Sequence, residues 1–140
     1  MGTTFPHLSA PLQIAGVTLR NRMITTSMSP GAGYTDEDSK PTARFLNYLE
    51  QRAAGQTALI TQTLSPHHRS AEHPGLSPMP GCYDDSCLPH LKAMAEVVHR
   101  HGGLIVGQPY FVHDWKTKDD EDEVPWGPSD ISILKFMGPF

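Results

Sequence analysis

The strongest constraint in this sequence is an alternation of short strand-like runs with segments of helical period. The strand-like runs are Met23–Thr26, Thr57–Thr63 and Leu104–Gln108, and the helices predicted between them are Pro41–Ala54 and Ser86–His101. This alternation is typical of parallel strands joined by covering helices. Two architectures therefore remain, a doubly wound open sheet and a closed eight-stranded barrel.

The apolar spacing inside the two predicted helices indicates which faces are buried. In the first helix Phe45, Leu49 and Ala53 are spaced by four, and Gly55 is placed to end it. In the second helix we expect Ser86 to be the cap. Its apolar face is predicted to consist of Leu88, Leu91, Ala95 and Val98. The third strand is a nearly continuous apolar run, which predicts cover on both faces.

A hairpin before the first parallel strand favours the barrel. Leu12–Ile14 and Val17–Leu19 flank the two-residue turn Ala15-Gly16. Such a hairpin can close the bottom of a barrel while the loops after the strands build a site at the top. No Gly-x-Gly-x-x-Gly follows the first strand, which counts against a dinucleotide-binding sheet. The prediction is an incomplete (β/α)8 TIM barrel, with residues 1–22 as hairpin cap, 23–110 as a β-α-β-α-β unit and 111–140 as a loop-rich tail.

Composition excludes several classes of partner. The net charge of −4 and the pI near 6.0 give no basic surface for nucleic acid or anionic lipid. We find no apolar run long enough to span a membrane and no secretory signal, so a cytoplasmic protein is expected. Cys82 and Cys87 are predicted to be free thiols. No metal site is predicted, because His67, His68 and His73 lack a carboxylate or cysteine at suitable spacing.

Six segments, in their order and spacing, carry a resemblance to a known family. They are Leu19–Ile24, Pro30–Thr42, Tyr48–Gly55, Tyr83–Gly103, Leu104–Gln108 and Val124–Ser129. Together they resemble the first part of the old yellow enzyme or NADH:flavin oxidoreductase family, which includes 2,4-dienoyl-CoA reductases and amine dehydrogenases. Leu-Arg-Asn-Arg-Met-Ile, for example, is similar to the start of that family's first barrel strand.

The resemblance implies an FMN-dependent enzyme that takes hydride from NADH or NADPH and passes it to a small-molecule substrate. The substrate implied is an activated alkene or a related compound, and some relatives oxidise amines instead. The residues implied to contact the flavin are Thr26, Ser27, Met28, Ser29, Leu64 and Gln108. Leu64 stands where the family usually has a small residue beside the ring. The amide of Gln108 offers both a donor and an acceptor, which suits the flavin's pyrimidine edge.

The sequence also departs from the family, and two interpretations stay open. Ser27 replaces the usual Pro, Thr61-Gln62-Thr63 replaces an apolar stretch ending in Glu, and Phe111 and Asp114 replace a His and an Arg. The chain is either a truncated or complemented enzyme, or a non-catalytic barrel remnant or interaction protein. The family's catalytic groups come from later strands, so none is assigned. Three strands with open edges favour self-association or docking onto a complementing chain.

We expect the isolated chain to hold FMN weakly. A barrel of this kind takes about 250 residues, and its phosphate site comes from the loops after strands seven and eight. The measurement is the visible spectrum of the purified chain after FMN is added and the sample is desalted. A retained stoichiometric yellow chromophore would contradict the expectation.

Overall fold

A hairpin and a three-stranded parallel sheet with two covering helices form the part of the protein that the computed structural model describes, residues 5–28, 30–66 and 79–110. A short helix precedes the hairpin, and a 3-10 turn at Asp85–Cys87 precedes the last helix. The elements are α1 Pro6–Ser9, β1 Leu12–Ile14, β2 Val17–Leu19, β3 Ile24–Thr25, α2 Ala43–Ala54, β4 Leu59–Leu64, α3 Leu88–His99 and β5 Leu104–Pro109.

The pairing of the strands is the one that the sequence predicts. Strands β1 and β2 pair antiparallel across Ala15-Gly16, and both turn residues have a positive φ, as a tight two-residue hairpin requires. Strands β3, β4 and β5 are parallel and adjacent in that order. The predicted hairpin, parallel strands and intervening helices are thereby confirmed.

Several predicted boundaries differ from those in the structure. Strand β3 is only two residues long, whereas four were expected. Gly55 ends α2 as predicted, but the residue with left-handed backbone is Gln56, at a φ of 73°. The prediction of Ser86 as cap is wrong. The Asp84 carboxylate accepts a hydrogen bond from the Ser86 backbone N–H at 2.8 Å, so Asp84 caps the 3-10 turn that leads into α3.

The core lies between the sheet and the two helices. Phe45, Leu49 and Ala53 of α2 are buried, which confirms the spacing-based prediction. In α3 the predicted face is rotated, because Met94, Val97 and Val98 are buried whereas Leu88 is 58% exposed. The sheet residues of the same cluster are Ile60 and Leu64. The predicted cover on both faces of β5 is wrong for the described residues, since the strand has no buried residue.

Arg20 joins the hairpin to the ends of both helices. Its guanidinium donates hydrogen bonds to the carbonyls of Ala53 and Thr57, each at 2.8 Å, and to the carbonyl of His101. Carbonyls at helix C-termini have no partner within the helix and carry the negative end of the dipole, so a cation suits them. The hairpin, the end of α2 and the end of α3 are therefore fixed to one side chain.

Glu50 forms a second link between α2 and the segment after α3. Its Oε1 accepts hydrogen bonds from Nε2 of His101 at 3.1 Å and from Nη1 of Arg100 at 3.0 Å. The hydrogen bond from His101, together with the charge of Arg100, holds the pKa of the Glu50 carboxyl below its ordinary value. The ionised carboxylate is thus the form that the folded protein favours.

We predict that Arg20→Met lowers the free energy of unfolding by about 3 kcal/mol, because three carbonyls lose a charged donor. Arg20→Lys should have a free energy of unfolding between those of the wild type and Arg20→Met, since one ammonium cannot reach all three carbonyls. Urea denaturation measures both variants. The control is Arg22→Met, because Arg22 is exposed and its side chain makes no hydrogen bond within the described residues. Equal effects at positions 20 and 22 would contradict the assignment.

We predict a pH-dependent loss of stability for Glu50→Gln. A carboxyl whose pKa is lowered by folding stabilises the protein above its ordinary pKa, and this contribution is lost as the pH falls through the folded-state value. The variant should therefore be less stable than the wild type at pH 7. The difference should vanish at low pH. Thermal unfolding of the wild type and the variant, measured from pH 7 down to low pH, checks this. A difference in stability that stays constant with pH would contradict the prediction.

Candidate functional site at the carboxyl ends of the parallel strands

Alternation along the strands divides the sheet into two faces. On the face toward the helices, Ile60 and Leu64 are buried and Ile105 packs against the same core. A Cβ added to Gly107 would lie 2.6 Å from Leu64 Cδ1, so position 107 points to that face as well. The intervening residues point the other way. We call this second surface the open face. It consists of Ile24, Leu59, Thr61, Thr63, Leu104, Val106 and Gln108.

The open face changes from apolar to polar along the strands. At the amino ends Ile24, Leu59 and Leu104 are neighbours in register. At the carboxyl ends Thr63 is in register with Gln108. No residue of the open face is buried in the described structure. A barrel interior is filled by such layers of side chains, and its functional groups stand at the carboxyl ends of the strands.

Ser27 and Thr63 join the loop after β3 to the end of β4. Their hydroxyl groups share a hydrogen bond in which either oxygen can be the donor. Ser27 is half-buried, whereas Thr26 and Met28 are exposed, Met28 to 52%. Ser29, the fourth residue predicted in this stretch, lies outside the described residues. The structure therefore brings one member of the predicted stretch onto the open face beside a strand residue.

Gln108 lies next to this hydroxyl pair. It is exposed, it is in register with Thr63, and its side-chain amide makes no hydrogen bond within the described residues. We call Ser27, Thr63 and Gln108 the polar row. These three residues present two hydroxyls and one amide, a set of donors and acceptors that fits the polar edge of a planar heterocycle such as a flavin ring. The described residues are therefore compatible with that cofactor.

Leu64 differs from the other predicted site residues. Its side chain is 8% exposed and belongs to the core between the sheet and the helices. By alternation it points away from Gln108, on the opposite side of the sheet. The predicted flavin contact at Leu64 stays a prediction, and the structure gives this side chain a packing role.

Thr63 is the site residue that sequence reasoning missed. In the sequence it stood out only as the last residue of Thr61-Gln62-Thr63, which replaces an apolar stretch ending in Glu. The signal that identifies it is the cross-strand register with Gln108 combined with the Ser27 contact, and both are tertiary. The neighbouring Gln62 is 2% exposed and faces the helices, and its Nε2 donates to the Thr63 carbonyl at 3.1 Å.

Backbone contacts around Gly81 hold the loops at this end of the sheet together. The N–H of Gly81 donates to the Ser39 carbonyl at 2.9 Å, which links the loop after β4 to the loop after β3. His90 of α3 donates from Nε2 to the Gly81 carbonyl at 2.8 Å. A Cβ at position 81 would lie 2.5 Å from Cε1 of the Tyr83 ring, so a larger residue there would force that ring to move. Both loops are thereby joined next to Ser65, which directly follows β4.

Other candidate groups are outside the site or outside the described residues. Within residues 5–28, 30–66 and 79–110, no group of three or more His, Cys, Asp or Glu side chains is arranged to hold a metal ion. The predicted positions His67, His68, His73, Phe111 and Asp114 lie outside that part of the chain. None of the described helices has the length and hydropathy needed to cross a membrane.

Comparison with known proteins agrees with the geometry. The sequence model of the NADH:flavin oxidoreductase / NADH oxidase family matches residues 7–135. The chain is 33% identical over 101 residues to a probable N-methylproline demethylase of Rhizobium meliloti strain 1021, covering 72% of this chain and 14% of that protein. It is 30% identical over 105 residues to the N,N-dimethylglycine/sarcosine dehydrogenase of Chromohalobacter salexigens, covering 74% of this chain and 15% of that protein.

A solved structure shows the same fold. The old yellow enzyme from Trypanosoma cruzi superposes with a TM-score of 0.63 at 29% identity, covering 76% of this chain and 27% of that one. The fold is therefore an incomplete (β/α)8 barrel, as the sequence predicts. The chain spans about one seventh of the length of the curated relatives it matches, and about a quarter of this solved structure.

We predict that Gly107→Ala lowers the free energy of unfolding by about 1–3 kcal/mol, because its methyl group is aimed at the buried Leu64 side chain. The same substitution in a Leu64→Ala background should cost less than about 0.5 kcal/mol, since the obstructing group is gone. Chemical denaturation of the four proteins gives this double-mutant cycle. Equal costs in both backgrounds would mean that position 107 does not face the core and would undermine the assignment of Gln108 to the open face.

Proposed function

The chain belongs to the NADH:flavin oxidoreductase / NADH oxidase family, and from that premise we propose that the polar row on its open face is the flavin-contacting part of an FMN-dependent oxidoreductase. The observation that carries this proposal is the position of Gln108. Its amide is exposed and without a partner among the described residues, at the carboxyl end of a parallel strand and beside two hydroxyls. An amide placed there is available to a ligand rather than to the fold.

The chemistry of the polar row suits a flavin. The ring is planar, with apolar faces and one edge that alternates hydrogen-bond acceptors and donors. The Gln108 amide offers both functions from one side chain, and Thr26 and Met28 are exposed in the loop after β3. When FMN is bound, it supplies the hydride chemistry, and the protein positions and tunes it.

The proposed reaction moves hydride from NADH or NADPH, through the flavin, to a small activated alkene. A second candidate is oxidation of a C–N bond. This candidate is favoured by the two curated relatives, which are named for demethylation or dehydrogenation of N-methylated amino acids. The described residues would contact the flavin ring in either reaction. The groups that determine substrate specificity belong to the rest of a barrel.

Activity is proposed to need further barrel strands. In the described sheet β3 and β5 are both edge strands, and unpaired edges accept further strands readily. The matched relatives are several times longer than this chain. We propose that these strands come from a longer protein or from a complementing chain.

We predict that Gln108→Ala weakens FMN binding by about tenfold, because one or two hydrogen bonds are lost at about 0.5–1.5 kcal/mol each. Titration of FMN into the chain at high protein concentration, followed by quenching of flavin fluorescence, measures the dissociation constant. The matched control is Gln51→Ala, an exposed glutamine on α2. Equal affinities for the two variants, or no saturable binding by the wild type, would contradict the proposal.

A further inference from the structure

The Ser27–Thr63 hydroxyl pair has a donor that the fold does not use. Two hydroxyl groups carry two protons, and their shared hydrogen bond consumes one of them. Neither side chain makes another hydrogen bond within the described residues. Whichever oxygen accepts the shared bond therefore keeps its own proton available for a third group.

The position of the pair points that donor at the same ligand as Gln108. Thr63 and Gln108 are in register on adjacent strands, which lie about 4.8 Å apart in a sheet. Both side chains are on the open face, and Thr63 is half-buried while Gln108 is exposed. A planar ring whose edge reaches the Gln108 amide therefore also comes within reach of the hydroxyl pair.

The pair also differs in kind from the contacts that the family resemblance implies. Ser27 stands where the family usually has a Pro, and Thr63 stands where the family's apolar stretch typically ends in Glu. Neither of those alternatives carries a side-chain hydroxyl. This chain thus adds a hydrogen-bond donor at a place where the resemblance implies none.

We propose that the Ser27–Thr63 hydroxyl pair donates one hydrogen bond to an acceptor atom on the flavin edge and favours the reduced, electron-rich ring over the oxidised ring. This inference rests on the proposed function. Hydrogen bonds to charged acceptors are roughly twice as strong as those to neutral acceptors. A donor at the ring edge therefore stabilises the form with more negative charge on the ring, which is one of the ways a protein tunes a flavin.

The arrangement as a pair explains why both residues are needed. Each hydroxyl orients the other through the shared hydrogen bond. If either residue is replaced, the remaining hydroxyl has no partner to orient it. Removing either oxygen should therefore weaken the contact. Removing both should cost little more than removing one, because the two act as a single donor.

The test measures the affinity of the chain for oxidised FMN and for FMN reduced with dithionite under anaerobic conditions. Backbone amide chemical shifts in a heteronuclear NMR titration give both dissociation constants and show that each variant is folded. The variants are Thr63→Val, Ser27→Ala and the double variant, with Thr63→Ser as the substitution that keeps the hydroxyl. Thr61→Val is the matched control, because it makes the same change on the same face one layer below.

Thr63→Val is expected to weaken binding of reduced FMN by about tenfold and of oxidised FMN by about threefold. Thr63→Ser and Thr61→Val should remain within about twofold of the wild type. If Thr63→Val binds both forms like the wild type while Gln108→Ala binds weakly, this inference fails and the proposed function stands. If the wild type binds neither form, both fail. An equal loss for the two forms would overturn the claimed preference for reduced flavin.

Discussion

The parallel pairing of β4 with β5 is the constraint on which the site depends. Register places Thr63 beside Gln108, and alternation then sends both side chains away from the helices. A shift of one residue would exchange the two faces of β5 and turn Gln108 toward the core. Gly107 helps to fix this choice, because the space where its side chain would lie is occupied by Leu64.

Stabilising contacts and candidate functional groups are separated along the strands. At the amino ends Arg20 and Asn21 bind backbone carbonyls where the helices end, and Asn21 donates to the Gln56 carbonyl at 2.7 Å. At the carboxyl ends Ser27, Thr63 and Gln108 have hydrogen-bonding capacity left over. In barrels of this type, one end of the sheet serves stability and the other serves function. The three described strands show this separation.

The sequence predicted correctly those elements whose structure is determined by residues close together in the chain. The two-residue turn at Ala15-Gly16 determines the hairpin, and the spacing of Phe45 and Leu49 determines the buried face of α2. The predictions that failed depend on neighbours in space. Leu88 is exposed because α3 contacts the core through Met94, Val97 and Val98 instead. Val106 and Gln108 of β5 are exposed because no other layer of the described structure buries that face. Family resemblance predicted Ser27 and Gln108 of the site, whereas the role of Thr63 depends on register across strands and could not be predicted.

The central claim is that a flavin ring lies against the carboxyl ends of these strands on the open face. The most direct measurement is a set of intermolecular nuclear Overhauser effects between FMN and the isotopically labelled chain at saturating ligand. The account predicts cross-peaks from the ring protons to the Gln108 side-chain amide and the Thr63 methyl group. Cross-peaks confined to the helices α2 and α3, or to the hairpin, would contradict it.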